Sequence, residues 1–416
     1  MTQTTSSRGW IRTVATVWGG ELFSVLTSSV LQMGLIWHIT TTTKSALAVT
    51  LASLVGFLPT AFFGPFAGVI VDRFRIPVVM ISADMSIAFI SLSLTVWSLF
   101  TGDIPIGLVM AVLCLRSFGQ SIHTPAFNSL TPLIAPKDML DKLAGISQVV
   151  QSSGYLVGTA VAAVMYPLWG LQSMILLDVL GATVASACVL LSRVKDTRER
   201  SKTKHESVMH AVKAVTSEAF AGYQILRKDE SLFAVLIGGF IFTLAFSPLS
   251  ALFPLITIDY FDAGTTGAAI VEVVWSAGML VGGAIIGATG GLKKKAHSIV
   301  LSCIIFGSTI FFSGLLPRNG FVIFVILNVI MGLSEPLYQA PVTALMQERV
   351  APEYMGRAFA LFNALQSWAL PLGLAVSAFF VDGVSVPIFF VICGIAILLL
   401  AVVLLLLPQV RRIDAS

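Results

Sequence analysis

The chain has 416 residues, of which 56% are hydrophobic and only 11% charged, with a mean hydropathy of +0.92. No water-soluble fold of that length hides so much apolar surface, so a soluble enzyme is excluded and a polytopic membrane protein is expected. The net charge of +4, from 25 Lys and Arg against 21 Asp and Glu, comes without any basic and aromatic platform, which excludes nucleic-acid binding.

The N-terminus MTQTTSSRGWIR is polar and leads into an apolar run far longer than a signal-peptide core, so this first segment is expected to stay in the membrane. A helix needs about 20 apolar residues to cross a bilayer core. Spans are therefore predicted near 14–37, 46–70, 78–100, 106–127, 146–165, 172–192, 232–256, 267–289, 297–316, 320–343, 358–381 and 385–407. The runs are continuous and rich in Leu, Val, Ala and Gly, whereas barrel strands alternate. The fold class is all-α and polytopic.

Between the sixth and seventh spans, Arg193 to Lys228 holds nine of the 25 basic residues. Within it Val208, Val212, Val215, Ala219, Tyr223 and Leu226 recur at helical spacing, which predicts an amphipathic helix lying on the inner leaflet. The expected organisation is a six-helix bundle at 1–192, a cytoplasmic linker at 193–230 and a second six-helix bundle at 231–416. Short loops rich in Lys and Arg stay inside. With both termini cytoplasmic, only Lys44 and Arg318 fall in outer loops, and the chain is placed in the cell membrane, in contact with anionic lipid.

Cys114, Cys188, Cys303 and Cys393 all lie within spans without paired spacing, which supports neither a disulfide framework nor a metal site. There is no phosphate loop and no catalytic constellation, so neither enzyme activity nor a cofactor is expected. Trp18, Trp37, Trp97, Trp169 and Trp275 lie towards span ends, where interfacial anchoring is the ordinary role.

A repeat relates the halves. Pro125 and Pro136 bracket the end of span four and its loop, and Pro341 and Pro352 do the same at span ten, 216 positions on. Parallel repeats of six spans are a transporter architecture.

The stretch Gly64-Pro65-Phe66-Ala67-Gly68-Val69-Ile70-Val71-Asp72-Arg73-Phe74-Arg75 resembles the loop signature of the major facilitator superfamily. Arg116-Ser117-Phe118-Gly119, His123 to Asn128, Ala144 to Gln148, Asp178 to Ala182, Pro341 to Gln347, Gly356-Arg357 and Pro371-Leu372-Gly373 are similar to its macrolide-efflux branch of drug:H+ antiporters. The resemblance implies a conformational latch made of Gly68, Asp72, Arg73 and Arg75. It also implies a central cavity lined by spans one, four, seven and ten, with Gln32, Phe242, Phe246, Tyr338 and Gln339 as candidates to touch substrate. Span five carries Gly154 to Thr159, partly similar to the antiporter signature, with Thr159 where that signature has proline. Lys293 to Lys295, in the loop after span eight, reads as a topology anchor.

Charge inside hydrocarbon is costly and is usually paired or functional. Glu21, Asp84, Arg116 and Glu335 lie within spans and are the candidates for proton coupling, with Glu21 or Asp84 as the partner expected for Arg116. Asp178 and Glu272 lie nearer the outer surface and are expected to reach water. His123, at the cytoplasmic end of span four, is expected to be a hydrogen-bonding group at a helix end. The resulting reading is a monomeric secondary exporter of a bulky amphipathic small molecule, macrolide-like by resemblance, exchanged for protons. Export of a siderophore or other metabolite, lipid flipping, and a non-transporting receptor or accessory subunit are the alternatives.

Overall fold

A computed structural model of the chain describes residues 9–136, 139–192, 194, 220, 222–292, 294–351, 354–379 and 381–414. Nearly all of the described chain is helical and none of it is strand, because lipid offers backbone groups no partner and a helix satisfies them internally. The first half holds α1 (Gly9–Thr43), α2 (Ala46–Arg73), α3 (Ile76–Thr101), α4 (Ile106–Ile134) and α5 (Leu140–Ser192). The second holds α6 (Glu230–Leu255), α7 (Gly264–Thr289), α8 (Lys295–Leu315), α9 (Phe321–Ser334), α10 (Pro336–Arg349), α11 (Met355–Ala378) and α12 (Val386–Leu406).

Eleven stretches among the described residues are long and apolar enough to cross a membrane. The segment expected at 146–165 is not one of them. It shares the run of α5 with the segment expected at 172–192, and the run turns at Gly170, whose φ of 68 admits glycine without strain. The spans expected at 320–343 and 232–256 are also modified. Glu335 and Pro336 divide α9 from α10, and α6 continues past Pro254 into a π-helical turn, Ile256–Tyr260. Of the linker helix expected around 208–226, residues 208–219 and 221 lie outside the described residues, while 220 and 222–226 are helical.

Helix ends follow local chemistry. Pro77 occupies the first turn of α3, and Gly102, at φ 76, closes it by donating its N–H to the Ser98 carbonyl at 2.9 Å. Asp229 caps α6 by accepting from the Ser231 and Leu232 N–H groups, each at 3.0 Å. Outward-facing residues include Phe89, Phe100, Leu191 and Phe379, an apolar exterior that only a lipid solvent tolerates.

The described residues fall into two compact units. One combines those of Met1–Ile39 and Val55–Ala211; the other combines those of Thr40–Leu54 and Val212–Ser416. The tip joining α1 and α2 thus packs with the second unit, where Lys44 meets Asp259 at 3.6 Å and the Leu47 N–H donates to Asp382 at 3.2 Å.

Both units contain very close helix crossings, and one pair of them corresponds between the halves. A Cβ on Gly158 of α5 would lie 2.5 Å from the Leu26 carbonyl oxygen of α1, and one on Gly373 of α11 would strike the Leu244 carbonyl of α6. Both glycines let backbones touch where any side chain would hold them apart. The two contacts occupy corresponding places in the two halves, an internal echo that the proline spacing indicates independently.

Candidate functional site

Two buried polar layers cross the first unit. Along α1 the polar residues are Glu21 and Ser28; along α3, Asp84 and Ser91; along α4, Arg116 and His123. Members of each pair are seven residues apart, nearly two turns, so they share a helix face about 10 Å apart along the axis. Because α4 runs opposite to α1 and α3, His123 joins Glu21 and Asp84, while Arg116 joins Ser28 and Ser91.

In the first layer His123 Nε2 lies 3.2 Å from Asp84 Oδ1 and 3.8 Å from Glu21 Oε2. Gln151, on the first arm of α5, donates to Glu21 Oε1 at 2.9 Å. The Glu21, Asp84 and His123 residues are 2%, 5% and 3% exposed, values that deny bulk water to all three. His123 is therefore not a helix-end group, as its position along span four suggested; it is the centre of a carboxylate pair.

The second layer is built on Arg116 and Asp178. They form an ion pair, with Arg116 Nη2 also 3.3 Å from Asp178 Oδ1. Ser28 donates to Asp178 at 2.8 Å, Ser91 lies 3.2 Å from the same carboxylate, and Arg116 also donates to the Ser91 hydroxyl. Asp178 is 1% exposed, so it does not reach water as expected from its depth. It, and neither Glu21 nor Asp84, is the partner of Arg116. A bidentate guanidinium–carboxylate pair in a dry setting is geometrically specific.

The layers are separated and covered by apolar contacts. Ile87 of α3 packs where Gly119 of α4 leaves room for it, between the two sets. Beyond the first layer, Trp18 packs at a tilt against Phe127, 5.0 Å between ring centroids, and donates its indole N–H to Ser147 at 2.9 Å. Trp18 and Trp37 are buried, so neither is the interfacial anchor expected of it; Trp37 packs edge-on to Tyr166 at 5.9 Å. Trp97 and Trp169 are exposed.

The candidate substrate residues are divided between the units. In the second, Phe242 stacks on Tyr338 at 5.5 Å and meets Phe306 at 4.9 Å, and Phe246 meets Phe306 at 5.1 Å. Tyr338 is buried and donates to the Val235 carbonyl at 3.1 Å, whereas Gln339 is exposed. Gln32, in the first unit, is half-buried beside Gly56 of α2. Glu335 stands at the α9–α10 break, half-buried, with one carboxylate oxygen lacking a hydrogen-bond partner. Of the latch candidates, Arg73 and Arg75 are exposed at the end of α2 and just beyond it; the Gly68 and Asp72 side-chain positions lie outside the described residues.

One end of the second unit carries a network of ion pairs that the sequence does not disclose. Arg349 meets Asp229 at 3.1 Å, Lys295 pairs with Glu348, and Asp414 accepts from the Ala296 and His297 N–H groups at 3.1 and 3.3 Å. Lys295, expected only as a topology anchor, is thus held by a carboxylate. Burial alone would raise the Asp414 carboxyl, but the His297 ring and the two N–H groups outweigh it and hold that carboxyl below its usual range.

With this geometry in hand, known proteins supply a context. Residues 17–370 and 293–415 match the sequence profile of the Major Facilitator Superfamily. The chain is 40% identical over 405 residues to Macrolide efflux protein A of Streptococcus pyogenes, covering 97% of this chain and 98% of that one. Its counterpart in Enterococcus faecalis is 42% identical over 322 residues, 77% of this chain and 97% of the relative. A solved POT family transporter superposes with a TM-score of 0.73 at 11% identity, covering 94% of this chain and 95% of that one, a likeness of fold alone.

Proposed function

Because the chain belongs to the major facilitator superfamily and its macrolide-efflux-like branch, we propose that it is a drug efflux transporter that exports a bulky, macrolide-like compound in exchange for protons. It is a multi-pass membrane protein, and export places it in the cell membrane with both termini cytoplasmic. Twelve spans in two bundles of six, with α5 crossing twice about Gly170, would rock about a central site in alternating access. The aromatic set Phe242, Phe246 and Tyr338 suits an apolar face of such a substrate. A protein of this kind works as a monomer in lipid.

The observation that carries proton exchange is the burial of Glu21, Asp84 and His123 in one contact group of the first unit. A scaffold gains little from buried charge that apolar packing would not supply, whereas a group that changes protonation between two environments couples a gradient to movement. The test is accumulation of radiolabelled erythromycin, a macrolide, in cells with and without the chain. Lower steady-state drug in expressing cells, rising when a protonophore is added, is the expected result. Equal drug levels in the two strains would refute export of this class.

A further inference from the structure

The geometry points to a shared proton site: we propose that Glu21, Asp84 and His123 bind the exchanged proton as one unit positioned by Gln151, while Arg116 and Asp178 form a fixed pair that binds none. This rests on the reading of proton-driven export and names the group that performs it.

Charge parity is the first argument. The cluster holds two carboxyl groups and one imidazole, so with both acids ionised and the imidazole protonated it is one positive charge short. An uncompensated charge in a dry interior costs several kcal/mol, and one further proton on a carboxyl removes it. Asp84 Oδ2 is buried without a hydrogen-bond partner while Oδ1 of the same carboxyl meets His123 Nε2 at 3.2 Å, which leaves an oxygen with room in its bonding for that proton. By contrast Arg116 and Asp178 already balance, and two serine hydroxyls complete the carboxylate.

No described side chain nearby supplies the missing charge. The remaining ionic groups on α1, α3, α4 and α5 whose side chains are described are Arg116 and Asp178, which cancel two turns away, and Arg12, nine residues before Glu21 and about 13 Å along α1; Asp141 and Lys142, adjacent at the start of α5 and opposite in charge, have side chains outside the described residues. Arg73 of α2 is exposed. His38 follows Glu21 by 17 residues. Trp18, Phe127 and Ile87 cover the cluster on either side along the helices.

The second half shows that the architecture does not require these charges. Gln366 stands 215 positions after Gln151 on the helix that carries Gly373, and it accepts from Thr243 at 2.7 Å. Gln339 stands 216 positions after His123, and Tyr338 fills the space beside Gly239. The same helix crossing is thus built from neutral groups in one half and ionisable groups in the other, which assigns the ionisable set to chemistry.

The test is infrared titration of the purified protein in lipid nanodiscs, following the carbonyl stretch of a protonated carboxyl group. The wild type is expected to show one titrating band that Glu21→Gln or Asp84→Asn abolishes. In His123→Gln the band persists to higher pH, because the imidazolium that opposes carboxyl protonation is gone. Arg116→Gln with Asp178→Asn together should leave it in place. A missing band, a band unchanged in all three cluster variants, or a midpoint that follows sodium concentration at constant ionic strength would overturn the proposal. Erythromycin counterflow without a pH gradient, in the same wild-type protein, reports on export separately: its absence would sink the export reading while the infrared result still stands or falls by itself.

Discussion

Replacing Asp178 with asparagine keeps the shape of the side chain and removes the charge that faces Arg116. The guanidinium then remains in a setting where its residue is 5% exposed, with Ser91 as its neighbour and no anion. Breaking a buried pair by neutralising one member costs about 3–5 kcal/mol, since the orphaned charge keeps its desolvation penalty. Arg116→Gln orphans Asp178 in the same way, although the Ser28 and Ser91 hydroxyls still donate to it, which places this variant towards the lower end of that range. The double variant leaves no charge behind and should be no less stable than either single one. The assay is unfolding of the four proteins in detergent, followed by tryptophan fluorescence. Additive losses in the double variant would refute the reasoning, because they would show that the two side chains do not compensate each other.

Gly158→Ala should lower the yield of monodisperse protein sharply on size exclusion, since its Cβ would approach the Leu26 carbonyl to 2.5 Å; a normal yield would show that the crossing yields easily. Asp414→Asn keeps an acceptor for the Ala296 and His297 N–H groups but removes the negative charge at the start of α8, and should destabilise the second unit by about 0.3–1 kcal/mol. Because the folded carboxyl titrates below its ordinary range, that contribution is present above the unfolded value and fades as pH falls through the folded one, so unfolding curves of the two proteins should converge in acid. Phe242→Ala should weaken erythromycin binding about tenfold while Phe89→Ala, on the exposed side of α3, leaves it unchanged; equal binding by both would remove Phe242 from the site.

What the sequence discloses is whatever depends on neighbours along the chain. Span positions, the proline that opens α3 and the apolar character of the helices follow from local composition, and the buried arginine stands out because charge is rare there. The partner of Arg116 does not, since Asp178 lies 62 residues away and depth along a span says nothing of the direction a side chain faces. One signal was available. Polar residues spaced by seven on α1, α3 and α4 mark faces that stack in layers, and this pairing of intervals sets His123 level with Glu21 and Asp84, away from the helix end. The turn at Gly170 falls in the gap between the spans expected at 146–165 and 172–192, whereas the break at Glu335–Pro336 divides a span expected to be continuous, although a charge and a proline stand together there. The network of Asp229, Arg349, Glu348 and Asp414 joins segments that meet only in the folded chain.

The most direct measurement is erythromycin uptake into inverted membrane vesicles under an imposed pH gradient, acid inside. For one proton exchanged per drug molecule, each pH unit is worth about 1.4 kcal/mol and sustains about tenfold accumulation. Wild-type vesicles should therefore accumulate the drug and release it when the gradient collapses, while Glu21→Gln vesicles equilibrate it without accumulation. Uptake by the wild type that ignores the gradient would contradict proton-driven export.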